Sequence, residues 1–267
     1  MVSWLALLLA LALAGPARAA PVELKAQLLR SYHAAEANQG VAADARSLYA
    51  IDNSTIGRYD RGTGKRTGGW SGDPKVFPHL NSCAVVGAEL VCASSNYPAT
   101  PMNSTVEVFD LGKLTHSRSI PLGHQVGSLT WAVRQGGFWW AGFANYDGKG
   151  GEPGRDHRFT ALVKFDDDWK RLAEWRFPAS VLDRFAPMSA SGGVWGDDGL
   201  LYVSGHDEPA VFVLRVPAGG GMLEHVATIA APIEGQAIAR DPAAPDRLLG
   251  INREKRLLVS LRLPKVK

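Results

Sequence analysis

Residues 137–166 read GFWWAGFANYDGKGGEPGRDHRFTALVKFD. Two runs rich in aromatic and aliphatic residues, 138–143 and 159–165, flank a polar, glycine-rich segment at 145–158. That is the pattern of a β-hairpin with a long loop. Working outward, the same hairpin recurs with shorter loops. Its second strand ends Ile56-Gly-Arg-Tyr-Asp60, Val106-Glu-Val-Phe-Asp110 and Leu162-Val-Lys-Phe-Asp166, and the last two copies end Leu214-Arg-Val-Pro217 and Leu261-Arg-Leu-Pro264. The strands preceding these are 47–52, 89–94, 138–143, 200–204 and 247–251, and before them lie innermost-strand candidates at 40–44, 81–86, 128–134, 191–195 and 235–240. Repetition of one supersecondary unit at this spacing is the signature of a propeller or solenoid.

Four copies add a more polar strand, at 65–70, 115–122, 171–177 and 223–230, whereas the fifth stops at Pro264. The missing strand is available at the other end of the chain, where Val22, Leu24, Ala26 and Leu28 alternate with polar residues. The fold class that follows is all-β: a five-bladed β-propeller of four-stranded blades, with an N-terminal strand completing the last blade and removing the exposed sheet edges. A helix over 23–37 is the competing reading of that segment, since Leu, Ala, Glu and Lys favour helix. Elsewhere helix signals are poor, and 179–185 is the best internal candidate.

The run GVAADARSLYAIDNSTIGRYDRGTGK, 40–65, resembles the repeat of secreted and periplasmic propellers of the quinoprotein-like and YVTN type. That resemblance implies shape over most of the chain and names no activity. Plant-type glutaminyl cyclases are also five-bladed propellers of similar length, but their Phe-Thr-Glu-Gly-Leu run is absent, so no catalytic residue carries over.

The first residues read as a signal peptide, 1–20: an apolar run at 4–13, a Gly15-Pro16 break and an Ala17-Arg18-Ala19 cleavage motif. The remainder, 21–267, is expected to be a single propeller domain in a secreted or periplasmic protein, a monomer with no transmembrane anchor. An uncleaved anchor is the alternative; it would need about 20 uninterrupted apolar residues. The formal charge is only +3, with lysines and arginines spread along the chain, which argues against a nucleic-acid partner.

The two cysteines fall in one hairpin. A two-residue Gly87-Ala88 turn pairs Val86 with Glu89, and counting back sets Cys83 opposite Cys92 in a non-hydrogen-bonded pair, where opposed side chains lie closest. In an oxidising compartment they would form a disulfide; two buried free thiols are the alternative.

In an up-and-down blade, the loop entering the innermost strand and the loop after the second strand emerge on one side of the disc. That side collects the polar candidates. His206, Asp207 and Glu234 are the catalytic candidates, because a neutral histidine can act as general base and a carboxylate can hold a cation that activates water. Ligand-binding candidates are Gln39, Asn53, Asn96, His124, Asn145, Tyr146, Asp147, His157, Ser191, Gln236, Asn252 and Arg253. His79 falls on the same side. A divalent cation such as calcium, held by Glu234 and asparagine carbonyls, is the cofactor this set suggests, and the ligand would be a small molecule, a glycan or a peptide end. For each residue singly, the alternative is that it satisfies backbone groups and channel water. The opposite side is expected to receive mainly tight turns, and the 145–158 loop to overhang the channel as a lid. The rival functional class is a non-catalytic interaction scaffold.

Overall fold

The computed structural model describes residues 20–266, and the expected leader, apart from Ala20, lies outside the described residues. Each of the first four repeats forms an antiparallel four-stranded blade in which chain order equals spatial order from the axis outward, and the fifth repeat supplies the three inner strands of the last blade. The innermost strands are Gly40–Ala43, Leu80–Val86, Ser128–Gln135, Gly192–Trp195 and Ala239–Arg240. They contact one another around the axis in the order of the blades, and the fifth meets the first.

The fifth blade is closed by the N-terminus. Gln27–His33 pairs antiparallel with Leu257–Arg262, from Gln27↔Arg262 to His33↔Leu257. The alternating segment therefore forms strand, and the helix over 23–37 does not form. The segment is divided between two blades: Val22–Lys25 runs parallel to Glu224–Ala230 at the rim of blade four. The switch falls at Ala26, whose N–H still donates to Ala230 O at 2.9 Å. Tyr32 then anchors the closing strand to blade one by donating its hydroxyl to Arg61 O at 2.7 Å.

Small and aliphatic residues on the inner strands pack between blades, while Trp131 and Phe212 fill the interfaces at full burial. The tryptophans Trp131, Trp139, Trp140 and Trp175 are buried blade packing. Among the described residues the only helices are Ala179–Phe185, which buries Val181, Leu182 and Phe185, and the 3-10 turn His157–Phe159. None is long and apolar enough to cross a membrane. Cys83 and Cys92 are directly opposed, as the turn register requires, and form a disulfide with a Cα–Cα distance of 4.0 Å.

Candidate functional site

Loops from blades one, four and five converge on a cavity of about 430 Å³ lined by Asn38, His206, Asp207, Glu234, Arg253 and Glu254. Gly235 sets this convergence. It adopts a φ of +55°, and a Cβ there would overlap the His206 carbonyl, so the blade-five entry loop presses directly on the blade-four loop. The next residue, Gln236, is buried and continues the contact through its N–H to Gly205 O at 2.8 Å, while its carbonyl accepts the Ser204 hydroxyl.

Hydrogen bonding fixes the histidine's tautomer. His206 Nδ1 lies 2.5 Å from Asp207 Oδ1, and Arg253 Nη1 lies 3.2 Å from His206 Nε2. A carboxylate only accepts and a guanidinium only donates, so Nδ1 carries the proton and Nε2 accepts from Arg253. Burial lowers the pKa of His206 below its ordinary value, against the opposing pull of Asp207, and keeps the ring neutral near pH 7. Glu234 is equally committed: Asn252 Nδ2 donates to its Oε1 at 2.7 Å and the Glu254 N–H to its Oε2 at 2.8 Å. Asn252 Oδ1 in turn accepts from the Lys255 N–H at 2.8 Å. Calcium needs six to eight oxygen ligands; Glu234 and Asn252 offer three side-chain oxygens, each already accepting one N–H, and Arg253 lines the same cavity, so these two residues fall short of a calcium shell.

A second polar group lies across the same face. Asn53 Oδ1 accepts from Gln39 Nε2 at 3.1 Å and from His79 Nδ1 at 2.6 Å, and the Asn53 amide nitrogen donates to Asp52. His79 is thereby held with Nε2 unprotonated. Burial lowers its pKa to about 4, with the Arg253 guanidinium, and His206 when it is protonated, adding to the effect. The His79 ring packs on Tyr97 at 5.0 Å, and Tyr97 on Tyr146 at 5.1 Å. Tyr146 is buried, and burial raises its hydroxyl pKa well above the usual value. His79 belongs to this side by loop position, but nothing in its immediate sequence marks it; its prominence comes from Asn53, 26 residues away.

The remaining candidates are dispersed. Asn96 organises its own loop, donating to Pro101 O at 3.0 Å and accepting from the Asn103 N–H at 2.8 Å. His124 pairs with Glu152 at 3.1 Å at the surface. Asn145 is fully buried and donates to Val126 O and Phe159 O, away from the cavity. Ser191 starts an inner strand through its N–H to Ser204 O.

Asp147 and His157 bind each other at 2.6 Å in the long loop. With Asp156 they bring three ligand-capable atoms within 4.8 Å of one another, although Arg158 already occupies Asp156. That loop is strapped down. Glu152 accepts from the Met102 N–H at 2.7 Å, Arg155 donates to Val126 O at 2.7 Å, and Gly150 sits against the Tyr97 ring too closely for any side chain.

The opposite face is not merely turns. It opens into a larger cavity of about 540 Å³.

No protein-family model and no curated protein matches this chain. Among solved structures, a chain of a mitotic checkpoint complex is similar at a TM-score of 0.48 and 9% identity, covering 97% of this chain and 99% of that one. Hydrazine synthase of Kuenenia stuttgartiensis is similar at a TM-score of 0.47 and 12% identity, covering 85% and 71%. Neither likeness bears on function. The propeller fold itself fits a binding or scaffold role.

Proposed function

We propose that this chain is an exported binding protein, with a cleaved leader at 1–20 and a single propeller domain at 21–267 of the quinoprotein-like and YVTN type. It acts in a secreted or periplasmic setting and takes a small hydroxyl-rich ligand, such as a sugar, at the cavity between His206 and Arg253. The Cys83–Cys92 disulfide supports export, because such bonds persist in oxidising compartments.

The observation that carries the ligand assignment is the chain Asp207–His206–Arg253 at one opening. It sets exposed carboxylate acceptors, on Asp207 and Glu254, beside a guanidinium donor. Hydroxyl groups donate and accept, so they satisfy both. A peptide carboxylate would instead meet Asp207, Glu234 and Glu254. On this reading His206, Asp207 and Glu234 are binding groups. General-base hydrolysis by His206 would first need Arg253 to leave Nε2.

The test is a thermal-shift and calorimetric screen of the purified protein against mono- and oligosaccharides. A ligand present at about 100 times its Kd stabilises by about 2.7 kcal/mol, a rise of about 5–10 °C in a domain of this size. Arg253→Ala and Asp207→Ala should abolish that rise while leaving the ligand-free Tm within about 2 °C, as expected for polar substitutions outside the core. If no saccharide shifts the Tm at any concentration tested, or if both variants respond as the parent does, the assignment fails.

A further inference from the structure

The larger cavity, about 540 Å³, lies at the opposite mouth of the axial channel, where the five innermost strands end. It exists because blade five departs from the repeat. The link from its inner strand to the next strand, 241–246, carries two prolines, whereas blades two and three turn on the dipeptides Gly87-Ala88 and Gly136-Gly137. The long link replaces a tight turn at this mouth, and Pro242 and Pro245 form its wall on that side.

This wall is preformed. Asp241 is buried and ion-paired with Arg61 of blade one, and its carboxylate also accepts the Ala243 N–H at 2.8 Å. The Arg247 N–H then closes the link on Ala244 O at 3.0 Å. Rigid walls lower the entropic cost of binding.

The lining has two parts. Ala84 and Val133 are half-buried on the lining, Ala42, Val194 and Ile238 back it from the core, and the volume falls within the usual range of about 300–1,000 Å³ for small-molecule sites. Arg134 and Arg240 also line the cavity. Each is paired to an aspartate that lies further out in solvent: Arg134 is 30% exposed and Asp167 72%, while Arg240 is 24% exposed and Asp197 73%. Exposed aspartates are weak competitors, since surface pairs contribute only about 0–1 kcal/mol. The guanidiniums also keep donors in hand. Arg240 uses Nη1 on Trp195 O and Nη2 on Asp197, and Arg134 uses Nη1 on Asp167, out of five N–H groups on each guanidinium. The mouth is therefore mixed: apolar side chains and two guanidiniums share it with Asp197, which is itself on the lining but largely solvated, and with Asp241, which Arg61 neutralises.

We propose that this cavity is a second binding site, independent of the sugar face, for a small amphiphilic carboxylate. The apolar body sits among the five strand ends, and the carboxylate takes N–H donors from Arg134 and Arg240 in place of Asp167 and Asp197.

Titration of the full-length mature protein with decanoate tests this, with decanol and acetate as matched probes, read by calorimetry and by Trp195 fluorescence at the cavity wall. Decanoate should bind saturably and at least tenfold tighter than decanol, and acetate should not bind measurably. Arg240→Gln should reduce decanoate affinity about tenfold and leave decanol unchanged. Ala43→Phe, at a half-buried position in the mouth, should block both. The proposal is overturned if decanoate shows no saturable binding, if decanol binds as tightly, or if both folded variants bind decanoate as the parent does. Should either variant fail to fold, the decanoate and decanol comparison on the parent chain still decides.

Discussion

Removing the Cys83–Cys92 bridge should destabilise the protein by an amount set by the length of the loop it closes. The two residues are 9 apart, and the chain-entropy relation for such a loop gives about 2.5–3 kcal/mol at 25 °C, acting on the unfolded chain. For a domain of this size that corresponds to a fall in Tm of about 5–10 °C. The native hairpin should survive, because Ala84↔Val91, Val85↔Leu90 and Val86↔Glu89 remain paired beside the bridge. The informative assay is a double-mutant cycle of Cys83→Ala, Cys92→Ala and the double variant, each melted in calorimetry under non-reducing conditions. If the bridge exists, either single substitution removes it and carries nearly the whole loss, and the second adds little; the coupling energy then approaches the full value. Two buried free thiols predict the opposite, small losses from each substitution that add. Additive losses, together with two titratable thiols in the denatured parent, would refute the reasoning.

Deleting residues 21–33 should remove the six register pairs that close blade five. At about 0.5–1.5 kcal/mol per net hydrogen bond this amounts to about 3–9 kcal/mol, and a melting temperature unchanged by the deletion would rule out closure as a stabilising element. His79 should make stability depend on pH. Its folded pKa of about 4 lies below the unfolded value of 6.5, so the unfolded chain binds the extra proton in that window. Stability is therefore complete above about pH 6.5 and falls by up to about 3 kcal/mol as pH drops toward 4; denaturant titrations of His79→Gln should show a flatter profile over that range. Gly235→Ala should cost at least about 1–2 kcal/mol from its positive φ alone, and should displace the His206 loop and weaken any ligand bound there; a variant with parental stability and binding would contradict the close approach.

The repeat was legible because its strongest mark is local. Asp60, Asp110 and Asp166 each end a third strand, and each carboxylate accepts a backbone N–H of the following turn: from Thr63 at 2.8 Å, Lys113 at 2.7 Å and Lys170 at 2.8 Å. An aspartate at that place is demanded by turn chemistry, so it recurs wherever the turn does. The disulfide was legible for the same reason, since a two-residue turn fixes register. Long-range choices left no such mark. Alternation over residues 22–28 announces a strand, but the same alternation serves a parallel partner in blade four and an antiparallel partner in blade five, so the switch at Ala26 could not be read. The glycines of the 145–158 loop suggest freedom, yet Glu152 and Arg155 tie it to partners 50 and 29 residues away.

Both candidate sites arise where blades break the repeat. His206 and Arg253 stand in the loops that follow the second strands of blades four and five, the two copies whose third strands end in proline rather than aspartate. The opposite cavity is walled by the 241–246 link of blade five, at the place where blades two and three have two-residue turns. A ring of identical blades would pack its inner strands evenly and leave no preferred mouth, so the irregular blades are where concave, chemically mixed surface can form. The regular positions carry a sequence signature because packing dictates them. The site lies among the irregular ones, where Gly235, Arg253 and the 241–246 link acquire meaning only through neighbours in other blades, and substitutions at those positions are the ones expected to separate binding from folding.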